Sequence, residues 1–121
     1  MGQPFPTPLL DAKLQQQKRQ NAGDRQEILQ AALAWLRSNA AQFGIEQGYL
    51  FGSVTQPGRF TARSDVDLAV EGLTPGDPFG LISFLSTAVN RDVDLVPLDQ
   101  CHFAEKIRRE GVRWSASRSL D

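Results

Sequence analysis

The tetrapeptide Asp-Val-Asp-Leu occurs twice, at residues 65–68 and 92–95, and each copy opens a short apolar run that reads as a β-strand, Asp65 to Val70 and Asp92 to Val96. Strand side chains at i and i+2 point to one face, so Asp65 and Asp67 are expected to project together while Val66 and Leu68 face the other way. Two carboxylates side by side repel each other and raise one pKa unless a cation neutralises them, which a hard divalent ion does with oxygen ligands at short range. The pattern therefore asks for Mg²⁺. Asp92 and Asp94 share a face in the same way. If the two strands are neighbours, one of them joins as a third carboxylate, and Asp94, deeper in its strand, is the better placed. An Asp-x-Asp pair taken alone is more often solvated decoration at the start of a strand than a site.

A second feature shifts that balance. Tyr49 to Phe51 forms a short strand that runs directly into Gly52 and Ser53. Glycine admits close backbone approach, and free amides with a hydroxyl can hold phosphate oxygens. A Gly-Ser pair by itself is usually just a turn. Together with paired aspartates and a third aspartate on another strand, it describes a site for a metal and a nucleoside triphosphate.

The rest of the chain frames these strands. Residues 1–8 contain three prolines and are expected to be irregular. Leu9 to Gln20 is rich in helix formers, with Leu9, Leu10 and Leu14 as an apolar edge. Asn21 to Gly23 reads as an interruption, giving a short separate helix in an N-terminal extension, 1–23, ahead of a domain over 24–121. Asp24, with Glu27 three positions on, resembles a capping box that opens a helix carrying Ile28, Leu29, Ala32, Leu33 and Leu36 as far as Phe43 and Gly44. Gly72 and the Pro75-Gly76 turn close the second strand. Asp77-Pro78 supplies an N-cap and a first-turn proline for a helix that buries Leu81, Ile82, Leu85 and Val89. Pro97 stops the third strand, and a helix from Gln100 to Glu110 ends at Gly111 before a Val112 to Trp114 segment. The alternation predicts an α/β fold with a small mixed β-sheet flanked by helices.

Composition narrows the function classes. A net charge of −1 gives no global drive toward nucleic acid or anionic lipid. One cysteine excludes an intrachain disulfide framework, and no long apolar run or signal-like start is present, so a cytoplasmic protein with no membrane partner is expected. Cys101 and His102 are too isolated for a zinc set and are assigned no chemistry. Trp35 and Trp114 are open between core and interface roles. The basic run Lys106, Arg108, Arg109 and Arg113 reads as a solvated helix face, with contact to a partner or a nucleotide as the sharper alternative.

Three stretches, "LFGSVTQPGRFTARSDVDLAV", "VDLV" at 93–96 and "IRREGVRW" at 107–114, resemble the minimal nucleotidyltransferases of the DNA polymerase β superfamily. The resemblance implies the polymerase-β-like nucleotidyltransferase fold. It also implies that Gly52 and Ser53 bind the triphosphate of ATP, that Asp65 and Asp67 bind two Mg²⁺ ions, and that Asp94 completes the metal site and activates the attacking hydroxyl. Members are commonly antitoxins encoded beside a HEPN-domain ribonuclease toxin, and characterised pairs transfer AMP to a tyrosine of that toxin. A hetero-oligomer with such a toxin, or a homo-oligomer, is the implied assembly. Two alternatives stand beside it: an antitoxin that masks the toxin without catalysis, and a nucleotidyltransferase acting on a small molecule such as an antibiotic. Many relatives carry Ala-Arg-Gly where this chain has Thr55, Gln56 and Pro57, and its spacer from Ser53 to Asp65 is one residue longer. Arg59 or Arg63 is expected to replace the missing guanidinium.

Overall fold

The structure is a computed structural model and describes residues 8–71 and 76–116. Three helices, α1 (Pro8–Asn39), α2 (Pro78–Val89) and α3 (Ala104–Glu110), accompany four strands, β1 (Gln47–Phe51), β2 (Val66–Glu71), β3 (Val93–Pro97) and β4 (Val112–Ser115). The strands form one mixed sheet in the order β3-β2-β1-β4. β1 pairs antiparallel with both β2 and β4, while β2 and β3 are parallel, joined through α2. The expected α/β architecture is thus observed. The irregular start and the Gly72 to Pro75 part of the strand-closing turn lie outside the described residues.

Period-2 alternation decides which face each strand residue meets. Leu50, Val66, Leu68, Val70, Val93 and Trp114 point toward α1 and α2 and build the main core with Leu29, Leu33, Leu36, Leu81 and Leu85. Trp114 is therefore a core residue, 2 % exposed. Trp35 packs against the same cluster and stacks on Phe43, with ring centroids 6.0 Å apart. The opposite face is covered only in part. Ala69, Leu98 and Ile107, with Tyr49, Phe51 and Val96 against them, form a smaller cluster beneath α3.

One expectation is overturned. No break separates a short N-terminal helix from a second one at Asp24: α1 is a single helix of 32 residues that passes through Asn21–Gly23. Asn21 is tied into the helix, because its side-chain oxygen accepts from Gln17 Nε2 at 2.9 Å, one turn back. Gly23 costs about 1 kcal/mol against alanine, too little to end a helix whose flanks are strong formers and whose second half is anchored in the core. Asp24 thus lies inside the helix rather than at a cap. Asp77, in contrast, caps α2 as predicted, accepting from the Gly80 amide at 3.0 Å. The predicted last helix is shorter than expected: a three-residue 3₁₀ turn at Leu98–Gln100 precedes α3. No helix among the described residues is long and apolar enough to cross a membrane.

Candidate active site

β1, β2 and β3 bring Phe51, Asp67 and Asp94 into one row, since Phe51 pairs with Asp67 and Asp67 with Asp94 in the sheet register. By alternation the row lies on the face away from α1 and α2, just beyond the cover provided by α3. Asp67 is half-buried, and Asp94 is exposed on the edge strand. Asp65 sits one residue before β2 rather than within it, and it is exposed. Burial, first, and then the charges of Asp94 and Asp65 raise the Asp67 carboxyl above its ordinary value of 3.8. Both Asp94 and Asp65 therefore act electrostatically on Asp67. Asp92 also falls outside the strand, and with Asp65 it lines a polar cavity of about 560 Å³ bounded by Arg63, Ser86, Thr87 and Arg91.

The Gly52–Thr55 segment leaves β1 as a 3₁₀ turn. Gly52 has φ 75°, a left-handed conformation, and its Cα faces the Asp67 carboxylate so closely that an added Cβ would meet Asp67 Oδ2. The turn is fixed at several points. Thr55 Oγ1 donates to the Gly52 carbonyl at 2.8 Å, the Gln56 amide donates to the Ser53 carbonyl at 3.1 Å, and Val54 is fully buried. Ser53 is half-buried and its hydroxyl has no protein partner among the described residues.

Four arginines lie on or near this turn and its spacer. Arg59 and Arg63 are exposed, and neither guanidinium makes a hydrogen bond among the described residues. Arg25 of α1 also reaches the turn: it is 8 % exposed, and its Nη1 donates to the Val54 carbonyl at 3.2 Å. Arg91 secures the spacer, donating to the carbonyls of Thr61 at 3.0 Å and Ser64 at 2.8 Å, with its guanidinium 4.6 Å above the Phe60 ring. These two arginines were missed in the sequence. Arg25 sits on the inner edge of the α1 stripe, one helical turn ahead of Leu29, and that spacing is the only signal the sequence offers.

Whether the site suits a divalent cation is a question of donor type and placement. Three hard oxygen donors share a region in which none of them is ion-paired among the described residues, and the repulsion that raises Asp67 is the kind that Mg²⁺ relieves. Among the described residues, no set of three His, Cys, Asp or Glu side chains is gathered tightly enough to hold an ion as it stands. The donors suit Mg²⁺ in kind, and side-chain movement would have to bring them together before they could hold it.

No protein-family model and no curated protein matches the chain. Two solved structures resemble it. The toxin–antitoxin complex MntA–HepT aligns at 24 % identity with a TM-score of 0.45, over 78 % of this chain and 71 % of the other. A mutant of such a complex, with two aspartates replaced by glutamates, aligns at 26 % identity with a TM-score of 0.46, over 61 % of this chain and 62 % of the other. The chain thus spans less than two thirds of the latter's length.

Proposed function

We propose that the protein is a Mg²⁺-dependent nucleotidyltransferase that moves AMP from ATP to a hydroxyl, a tyrosine of a cognate HEPN-type ribonuclease toxin, and thereby acts as its antitoxin. The observation that carries this reading is the in-register pair Asp67–Asp94, with Asp65 close by and the left-handed Gly52 backbone pressed against Asp67. Asp65, Asp67 and Asp94 would hold Mg²⁺, which when bound supplies positive charge to the carboxylates and to the phosphates. The Gly52–Ser53 turn positions the triphosphate through its amides and the unpartnered Ser53 hydroxyl. Asp94, exposed on the edge strand, is open to an incoming acceptor and takes its proton. The acceptor oxygen then bonds to the α-phosphorus, the bond from that phosphorus to the bridging oxygen breaks, and pyrophosphate leaves.

The experiment mixes the neighbour-encoded toxin with ATP, Mg²⁺ and either the wild type or Asp94→Asn, and reads intact mass and residual ribonuclease activity. AMP added to the toxin by the wild type alone, in step with loss of ribonuclease activity, supports transfer. Equal silencing by both proteins with no added mass replaces transfer by simple masking.

A further inference from the structure

Beside the carboxylate row lies a cleft of about 210 Å³, lined by Phe51, Gly52, Gln56, Phe103, Lys106 and Ile107 among others. Its place is set by the sheet. Phe51 is the cross-strand neighbour of Asp67, so the cleft opens one strand away from the carboxylates, and Gly52 borders both features. The Phe51 and Phe103 rings meet edge to face with centroids 6.4 Å apart, and the buried Ile107 lines the cleft with them. Phe103 is 41 % exposed, and so offers part of its ring to whatever enters. The volume lies below the roughly 300 Å³ at which pockets begin to hold drug-sized molecules, so it suits one ring system and excludes a whole nucleotide.

Polar groups stand at the edges of this aromatic slot. The Gln56 side-chain amide makes no hydrogen bond among the described residues, and an amide can pair with the two adjacent donor and acceptor positions of adenine. Thr55, by contrast, has its hydroxyl committed to the Gly52 carbonyl. Lys106 is exposed and lies in neither ion pair of the described residues, which leaves a cation for phosphate at the same opening.

The geometry points to this cleft as the nucleobase subsite: Phe51 and Phe103 hold an adenine ring, Gln56 reads its edge, and the triphosphate runs from there over Gly52 and Ser53 toward Asp67. The inference rests on the nucleotidyltransferase reading and adds to it the residues that would set its preference for adenine. Base–aromatic stacking is worth about 1–3 kcal/mol per base, so removal of one ring corresponds to a loss of roughly fivefold or more in affinity.

The test compares Mg²⁺-ATP, Mg²⁺-GTP and Mg²⁺-tripolyphosphate, titrated calorimetrically into the wild type, Phe103→Ala and Gln56→Ala, with melting curves confirming that each variant is folded. The wild type is expected to bind ATP more tightly than tripolyphosphate. Phe103→Ala should weaken ATP at least fivefold and leave tripolyphosphate unchanged, and Gln56→Ala should erase the preference for ATP over GTP. Equal wild-type affinity for ATP and tripolyphosphate, or a Phe103→Ala effect common to both, overturns the base subsite while leaving phosphate binding intact. Failure of the wild type to bind any of the three overturns the nucleotide reading itself, and the subsite with it.

Discussion

Replacing Gly52 with alanine probes the joint between the turn and the carboxylates. The backbone at this position has φ 75°, where an L-residue with a Cβ loses about 1–2 kcal/mol. The new methyl would also lie 3.2 Å from Asp67 Cγ and closer still to Oδ2. The carboxylate must turn away, which costs about 0.5–1.5 kcal/mol if it leaves its rotamer well. Together these predict a loss of about 1.5–3.5 kcal/mol. For a domain of this size that is a fall in Tm on the order of 10 °C. Urea unfolding followed by circular dichroism, with and without Asp67→Ala in the background, separates the two parts. Without the Asp67 carboxylate only the backbone part should remain, so Gly52→Ala should cost about 1–2 kcal/mol there. A cost under about 0.5 kcal/mol in either background would refute the left-handed turn. Equal costs in both backgrounds would refute the contact with Asp67.

A carboxyl whose folded pKa is raised binds more protons folded than unfolded, so its contribution to stability is lost as pH rises from 3.8 through the folded value. In metal-free buffer Asp67→Asn should therefore stabilise the protein at neutral pH, the difference shrinking toward acid; a constant difference across pH contradicts a carboxyl raised by burial and by its acidic neighbours. Asp65→Asn combined with Asp67→Asn should abolish Mg²⁺-supported ATP binding in a folded protein, and unchanged calorimetric affinity would remove these residues from the site. Ser53→Ala should lower transfer at limiting ATP by about 1.5–3 kcal/mol in transition-state terms, the worth of one charge-assisted hydrogen bond; an unchanged rate rejects a phosphate role for the hydroxyl. Arg25→Ala should speed amide hydrogen exchange across Gly52–Thr55, and protection equal to wild type would mean that the Val54 contact does not hold the turn.

The strands were legible because each is a short apolar run between Gly, Pro or Asp signals, and because period-2 patterning assigns Val66, Leu68 and Val93 to one face without ambiguity. Asp94 is preferred to Asp92 for its depth in the strand, and the sheet register sets it beside Asp67. Helix α1 was misjudged for a physical reason. Asn21 and Gly23 are weak helix formers, but local propensity is worth at most about 1 kcal/mol per residue, less than the anchoring that Leu29, Leu33 and Leu36 supply to one continuous helix. Arg25 and Phe103 were illegible in another way. A buried arginine on a helix has the same local sequence signature as a solvated one, and the partnership of Phe51 with Phe103 spans half the chain.

The unbroken α1 has a kinetic consequence. From residue 9 to residue 20 every side chain is exposed, so this stretch gains almost nothing from packing. A helical peptide shorter than about 12–15 residues rarely nucleates alone in water, because the first turn fixes many dihedrals for one hydrogen bond. Its order must therefore propagate outward from the turns that Arg25 and Leu29 anchor, each residue adding a bond to a helix already begun. Amide protection along α1 should then decay steadily toward Pro8, and a cut after Gly23 should release a peptide that unwinds at once and leave the sheet and its carboxylate row as they were.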